Sequence, residues 1–216
     1  MKLQFSRKGA DLPPPLPDVI LASQSIGRRM LLEKLGLRFR VVVSRVDEDA
    51  ISDRDPLKTI KLRAAAKARE ITGHSRVYSL PETREALIVA ADSMAIMGKK
   101  TFGKSVDHEE TREILKSLMG RTHVFATAVT IVLFDGIKVK KTWEKTVKTR
   151  VTMRKLTPVE IDSYVSRFDF TRFAAAYAIN EAPWNLVTKI DGSYTNVIGL
   201  PFEVLLPILR KEKIIL

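Results

Sequence analysis

The sequence predicts a mixed α/β fold. Near the N-terminus, short apolar runs alternate with segments of helical periodicity, which is the pattern of successive βα units. Farther along, residues 122–134 and 137–153 have strand character and are joined at Asp135-Gly136, a dipeptide typical of a hairpin turn. We therefore expect a twisted, mixed sheet with flanking helices.

The first predicted βα unit places polar groups at the turn between a strand and a helix. Residues 19–22 predict a short buried strand, and Gly36 can adopt the left-handed conformation that ends a helix. Between them lie Ser23, Ser25 as a suitable N-cap, and Arg28 in the first helical turn. Because a helix N-terminus offers free N–H groups and partial positive charge, these residues suit a phosphate or a carboxylate. Taken alone, they would equally suit an ordinary cap beside solvent-facing arginines.

The middle of the chain continues the alternation. Residues 39–43 predict a strand, and Asp55-Pro56 predicts the start of a helix that ends at Gly73. Residues 87–91 predict a buried strand ending at Asp92. The later elements are expected as a helix between Asp107 and Gly120, a helix from 157, strands near Leu186 and Val197, and a last helix from Pro201.

Length and composition indicate one soluble domain. The 216 residues suffice for a full core, and we predict a proline-rich N-terminal segment over 1–18 followed by a single α/β domain over 19–216. No stretch approaches the roughly 20 apolar residues of a membrane span, and residues 1–18 lack the apolar core of a secretory signal. The absence of cysteine excludes disulfides and thiolate catalysis. We expect a cytoplasmic protein without membrane contact.

The net charge of +12 favours a polyanionic partner, which could be a nucleic acid or a nucleotide. Part of this charge is local, because eight of the nineteen residues from Ile137 to Lys155 are Lys or Arg. A basic nucleic-acid-binding protein is therefore a second hypothesis. Against it, the chain shows no aromatic-interleaved RNA motif and no helix-turn-helix pattern.

Residues 98–105 match the phosphate-binding pattern G-x-x-x-x-G-K-[ST]. In that motif the helix begins at the Lys-Ser pair, whereas the next helix-start signal here is Asp107. Such a domain also needs parallel βα units downstream, where this chain has a predicted hairpin. We interpret the match as chance, with Lys104 retained as a phosphate-binding candidate.

Seven short motifs occur in one order along the chain and together resemble the Maf family. They are Leu21-Ala22-Ser23-x-Ser25, Asp47-Glu48, Lys67-Ala68, Ala91-Asp92-Ser93, Gly103-Lys104, Gly120-Arg121-Thr122-His123 and the segment from Gly192 to Pro201. The resemblance runs from Val19 to the C-terminus. It implies a cytoplasmic nucleoside triphosphate pyrophosphatase, commonly a homodimer, with two lobes around a cleft and a fold like that of inosine triphosphatases.

The resemblance also implies the roles of site residues. Asp92 is expected to bind a divalent metal, Mg²⁺ or Mn²⁺, and to activate water, while Glu48 holds the metal or shares the base role. The phosphate oxygens are expected to contact Ser23, Arg28, Lys67 and Lys104. Asn180 stands where the family has glutamine and is expected to face the base. His123, although part of a motif, is interpreted as structural.

Several positions depart from the family pattern. Gly27 replaces an arginine, and the usual Asp-Lys-Ala-Gly-Ala-Tyr becomes Arg172-Phe173-Ala174-Ala175-Ala176-Tyr177. Ser93 replaces threonine and Ser105 replaces proline. The segment around Tyr177 and Asn180 is more similar to the branch acting on dTTP and UTP than to the branch acting on 7-methyl-GTP, which stays the alternative. Gly27 was expected to leave room for a larger base.

Overall fold

The structure, a computed structural model, describes residues 16–82, 84–167, 169–180 and 186–216. Most of the predicted N-terminal segment 1–18 lies outside these residues. Within them, a seven-stranded mixed sheet carries helices on both faces, which confirms the predicted fold class. None of the described helices is both long and apolar enough to cross a bilayer.

The strands and helices alternate along the first part of the chain. Its elements are β1 (Asp18–Leu21), α1 (Ile26–Lys34), β2 (Phe39–Val41), α2 (Pro56–Gly73), β3 (Ala86–Met97), β4 (Lys100–Phe102) and α3 (His108–Leu118). The remainder comprises β5 (Thr122–Phe134), β6 (Val139–Met153), α4 (Pro158–Arg167), a 3₁₀ turn (Ala174–Ala176), β7 (Val187–Asp191), α5 (Tyr194–Ile198) and α6 (Phe202–Lys211).

The sheet has the strand order β2-β1-β3-β5-β6-β7, with β4 also paired to β3. Strand β1 is parallel to β2 and β3, whereas the pairs formed by β5, β6 and β7 are antiparallel. Gly136, at a φ of 94°, lies in the turn joining β5 to β6, as its Asp-Gly sequence predicts. Asp55 caps α2 by accepting from the amide of Leu57 at 2.9 Å, and Pro56 is its first residue, also as predicted.

Two predictions about strands were wrong, one about where a strand ends and one about whether a strand forms. Strand β3 continues beyond Asp92 to Met97, because it pairs along its whole length with the equally long β5. Val197 lies in the short helix α5, not in a strand. The hydroxyl of Ser193 caps this helix, and Gly199, at a φ of 111°, ends it. The apolar pair Val197-Ile198 suggests a strand when read alone, but the caps on both sides make it helical.

The middle of β3 has a free edge. On one side β3 pairs with β5 throughout, and on the other it pairs with β1 over Ala86–Val89 and with β4 over Ala95–Met97. Among the described strands, none pairs with the stretch between these two on that side. The sheet is therefore open at Asp92, and a cavity lies there between its two parts.

The two faces of β3 meet different helices because successive side chains of a strand point to opposite faces. Leu87, Val89 and Ala91 belong to the core cluster shared with α1 and α6, whereas Ile88 and Ala90 belong to the cluster shared with α2. Side chains at the open edge can accordingly be reached from both helical layers.

Candidate active site

All seven residues predicted from the sequence to form the site line one cavity of about 520 Å³ at the open edge of β3. They are Ser23, Glu48, Arg28, Lys67, Asp92, Lys104 and Asn180. Elements distant in the sequence therefore contribute to one site: the turn before α1, the loop after β2, α2, β3, the loop after β4 and the segment before β7.

A buried lysine lies between the two carboxylates. Lys67 is on the buried stripe of α2 and only 5% exposed, and its Nζ is 2.7 Å from Glu48 Oε2 and 3.2 Å from Asp92 Oδ1. It also donates to the carbonyl oxygen of Ala91 at 3.3 Å. Because a buried charge without partners is strongly unfavourable, this arrangement ties α2, β3 and the Glu48 loop together.

The two carboxylates have pKa values shifted in opposite directions. Burial raises the pKa of Asp92, an effect that the charge of Glu48 reinforces and that Lys67 and Arg28 oppose. At Glu48, burial also acts to raise the pKa, but the charge and hydrogen bond of Lys67, with smaller contributions from Asp92 and Lys104, outweigh it, so the pKa of Glu48 is lowered. Neighbouring carboxylates with divergent pKa values are typical of acid–base sites.

One carboxylate oxygen of this pair lacks a protein partner. Asp92 Oδ2 is buried and makes no hydrogen bond to any described residue, while Asp92 Oδ1 binds Lys67. Buried polar atoms are normally satisfied, so such an atom at a cavity wall suits a ligand from outside the chain.

The guanidinium of Arg28 is held from three directions. Nε donates to the carbonyl oxygen of Gly199 at 2.8 Å, Nη1 to Ser23 Oγ at 2.9 Å and Nη2 to Ser93 Oγ at 2.9 Å. Ser25, not Ser23, caps α1, by accepting from the backbone N–H of Arg28 at 3.4 Å. The structure thus confirms Ser25 as the predicted N-cap and gives Ser23 a contact with the Arg28 side chain. Burial lowers the pKa of Arg28, against the charges of Asp92 and Glu48.

A chain of hydroxyls supports Arg28 from behind, and the sequence did not predict it. Thr127 Oγ1 lies 2.9 Å from Ser93 Oγ and donates to the carbonyl oxygen of Asn196 at 3.0 Å. The single hydroxyl proton of Thr127 is donated to the carbonyl oxygen of Asn196. The hydroxyl of Ser93 must therefore donate to Thr127 Oγ1 and accept from Arg28. In this series of hydrogen bonds, each group therefore donates to the next, from Arg28 through Ser93 and Thr127 to the carbonyl oxygen of Asn196 in α5.

A different part of the wall carries Lys104 on the loop after β4. The turn at Gly98 and Lys99 is that of the β3–β4 hairpin, and α3 begins only at His108. Lys104 is therefore not at a helix start, and the structure supports the interpretation of the phosphate-loop match as chance.

Other cavity residues lie toward its half-buried rim. Asn180 is half-buried, and its Nδ2 is 3.5 Å from Met30 Sδ of α1. Arg63 and Arg172 also line the cavity and were not predicted. The position of Arg63, one helical turn before Lys67, would have indicated it.

His123 lies behind the cavity and not on its wall. Its Nε2 is 2.9 Å from the hydroxyl of Tyr177, which does line the cavity. Burial lowers the pKa of His123 to about 4, so its imidazole is neutral at neutral pH. This placement agrees with a structural role.

The space expected beside Gly27 is already filled. A Cβ at this position would lie 2.9 Å from the carbonyl oxygen of Ile198 and 3.0 Å from its Cγ2. Gly27 therefore allows α1 to approach α5 closely, and Ile198 occupies the room that a missing arginine side chain was expected to leave.

Together, the sheet and the cavity define an α/β protein in which one cleft combines paired carboxylates with clustered cations, a class of site suited to a phosphorylated ligand and to acid–base chemistry. The chain belongs to the Maf family: the family's sequence profile, described as Maf-like protein, matches residues 18–212.

Curated relatives align over most of their length. A dTTP/UTP pyrophosphatase of a Thermoanaerobacter species is 34% identical over 194 residues, covering 90% of this chain and 96% of the relative. One from Akkermansia muciniphila is 36% identical over 186 residues, covering 86% and 92%. Among solved structures, a nucleoside-triphosphatase / dITP/XTP pyrophosphatase from Mycobacterium abscessus aligns with 69% of this chain and 93% of its own at 14% identity and a TM-score of 0.35, too low a similarity to support a conclusion.

The hydroxyl chain generates a prediction for Thr127→Val, which keeps the shape but removes the hydroxyl. We expect the free energy of unfolding to fall by about 1–3 kcal/mol, because the carbonyl oxygen of Asn196 keeps only its hydrogen bond from the N–H of Gly199 and the hydroxyl of Ser93 loses its acceptor. We also expect pyrophosphate to bind several-fold more weakly, since Ser93, without its acceptor Thr127, holds Arg28 less firmly. Denaturant unfolding and calorimetric titration measure the two effects.

Thr122→Val is the matched control, because Thr122 is exposed on the same strand and should show neither effect. If Thr127→Val lowered stability but left pyrophosphate affinity unchanged, the chain would not position Arg28.

Proposed function

We propose that this protein is a nucleoside triphosphate pyrophosphatase, which hydrolyses a nucleoside triphosphate to the monophosphate and pyrophosphate. The observation that carries the proposal is one cavity in which Asp92 and Glu48, with opposite pKa shifts, lie beside Arg28 and Lys67. Membership of the Maf family and the names of the curated relatives support it.

The reaction needs a water molecule activated as a nucleophile, which the carboxylates can supply. The raised pKa of Asp92 makes it the better proton acceptor, because a base is most effective when its pKa lies close to the working pH. Glu48, with a lowered pKa, stays ionised and keeps Lys67 in place. We assign the base role to Asp92 and the supporting charge to Glu48.

The reaction also develops negative charge on the pyrophosphate that leaves. Arg28 is fixed before any ligand arrives, and such preorganised cations stabilise a transition state without a cost of reorientation. Lys67 and Lys104 bring further positive charge to the same cavity, and Ser23 orients Arg28.

A divalent cation, Mg²⁺ or Mn²⁺, forms part of the proposal. Its fit rests on the unpartnered Asp92 Oδ2 and on the neighbouring Glu48, since these ions prefer carboxylate oxygens completed by substrate phosphates. Among the described residues, no cluster of three or more metal-binding side chains exists, so the protein alone would hold such an ion weakly. When bound, the ion neutralises phosphate charge and lowers the pKa of water.

We further propose dTTP and UTP as the preferred nucleotides, in a cytoplasmic and dimeric enzyme. The support comes from the relatives' names and from Asn180, whose amide can both donate to and accept from a pyrimidine edge. Nucleic-acid binding by the basic segment Ile137–Lys155 stays the second hypothesis. It is weakened because Lys140 and Lys141 form ion pairs with Glu85 and Glu212.

Product analysis tests the reaction and the substrate together. With Mg²⁺ or Mn²⁺, we expect equal amounts of monophosphate and pyrophosphate, with kcat/KM higher for dTTP or UTP than for 7-methyl-GTP. Release of orthophosphate with a diphosphate product would contradict the reaction. A preference for 7-methyl-GTP of more than about tenfold, or roughly 1.4 kcal/mol in transition-state binding, would contradict the substrate.

Replacing Asp92 tests the base role. We expect Asp92→Asn to lower kcat by about 100-fold or more, because the side chain keeps its size but can neither accept a proton nor carry charge. Asp162→Asn is the control, since Asp162 is exposed and pairs with Arg112 on the surface. Near-full activity of a folded Asp92→Asn variant would exclude the assigned role.

A further inference from the structure

A second pair of cations lies on the cavity wall formed by two loops. Lys104 follows β4, and Arg172 precedes the 3₁₀ turn Ala174–Ala176. The backbone N–H of Ala175 donates to the carbonyl oxygen of Gly103 at 2.7 Å, so the two loops are joined beside their cations.

The backbone that follows Arg172 is anchored to the core and has an unusual conformation. Phe173, the next residue, packs on the core with its ring 5.8 Å from that of Phe170. Ala175 and Ala176 have φ angles of 61° and 57°, a left-handed conformation that costs a non-glycine residue about 1–2 kcal/mol. Backbone strain of this kind tends to persist at functional sites, where the surrounding structure maintains it.

The guanidinium of Arg172 differs from those of the other cavity arginines. Arg28 is held by three protein acceptors and Arg63 by the carbonyl oxygen of Ile51 at 2.9 Å. In the described part of the chain, no ion pair or hydrogen bond engages the exposed side chain of Arg172, although its charge helps to lower the pKa of Asp169. Its donors are therefore available to a ligand, on a cavity wall that also carries Lys104.

Two further observations indicate an anionic ligand. The family pattern has an aspartate and a lysine where this chain has Arg172 and Phe173, so a carboxylate is absent and the positive charge lies one residue earlier. The cavity lining as a whole also contains more cations than carboxylates. An arginine with five donors in a planar fork suits the oxygens of a phosphate.

The charge of Arg172 acts less strongly on the two carboxylates than the charges of Lys67, Arg28 and Lys104 do. Lys104 contributes to the lowered pKa of Glu48, whereas Arg172 is not among the main contributors at either carboxylate. The bond to be broken lies at the carboxylates, so a cation beyond Lys104 is suited to the part of the ligand farther along the phosphate chain.

We propose that Arg172, together with Lys104, binds the terminal phosphates of the nucleoside triphosphate, the part that leaves as pyrophosphate. This inference rests on the proposed pyrophosphatase function and adds to it a residue specific to this chain. It makes Arg172 a determinant of affinity for the phosphate chain and not for the base.

The test compares the wild-type protein with Arg172→Gln and Arg172→Lys. We expect Arg172→Gln to bind pyrophosphate about tenfold more weakly in calorimetric titration, equivalent to about 1.4 kcal/mol. Binding of UMP and the ratio of kcat/KM between UTP and 7-methyl-GTP should not change. Arg172→Lys should recover part of the lost affinity, because it restores the charge but not the planar fork.

Lys99→Gln is the matched control, since Lys99 is an exposed cation on the adjacent hairpin turn and does not line the cavity. Unchanged pyrophosphate binding in Arg172→Gln would overturn the inference. A loss confined to UMP binding or to base preference would also overturn it, because such a loss would place Arg172 at the base. If the wild-type protein neither binds pyrophosphate nor hydrolyses any triphosphate, the proposed function itself fails. Wild-type activity with an unaffected Arg172→Gln variant rejects the role of Arg172 alone.

Discussion

The ammonium group of Lys67, buried between Glu48 and Asp92, is the interaction on which the rest of the site depends. It joins α2, β3 and the loop after β2 through contacts of 2.7 to 3.3 Å. Removing one partner of a buried ion pair such as Lys67–Asp92 typically costs about 3–5 kcal/mol, whereas the partly exposed Glu48 contributes less, so α2 and β3 above all are held in one arrangement. Burial raises the pKa of Asp92 despite these contacts, whereas at Glu48 the contact with Lys67 outweighs burial and lowers the pKa, which links the stability of the site to its chemistry.

The sheet makes this arrangement possible because β3 loses its neighbour on one side at Asp92. Alternation along the strand directs Asp92 to the α2 layer and Ser93 to the α1 layer, where Ser93 contacts Arg28. One free strand edge thus brings a carboxylate pair and a fixed guanidinium into one cavity. The anion-binding groups and the acid–base groups come from opposite faces of the same sheet.

Local signals made much of this predictable. The capped start of α2, the hairpin at Asp135-Gly136 and the seven predicted site residues of the cavity were all found from sequence. Features that depend on tertiary contacts could not be predicted from the sequence. Thr127 supports Arg28 only because the β3–β5 register places it opposite Ser93. The space beside Gly27 is set by the approach of Ile198, and the strand predicted at Val197 is a helix because caps on both sides determine it.

The stability of Lys67→Met as a function of pH tests most directly whether the buried charge cluster organises the site. Without Lys67 the pKa of Asp92 should rise further, so the folded state takes up a proton at higher pH than the unfolded state does. The loss in unfolding free energy relative to wild type should therefore be largest above the raised pKa of Asp92 and shrink as the pH falls through it. The exposed Lys61 on the same helix provides the control Lys61→Met. A loss independent of pH, or no loss at all, would contradict the central role of Lys67.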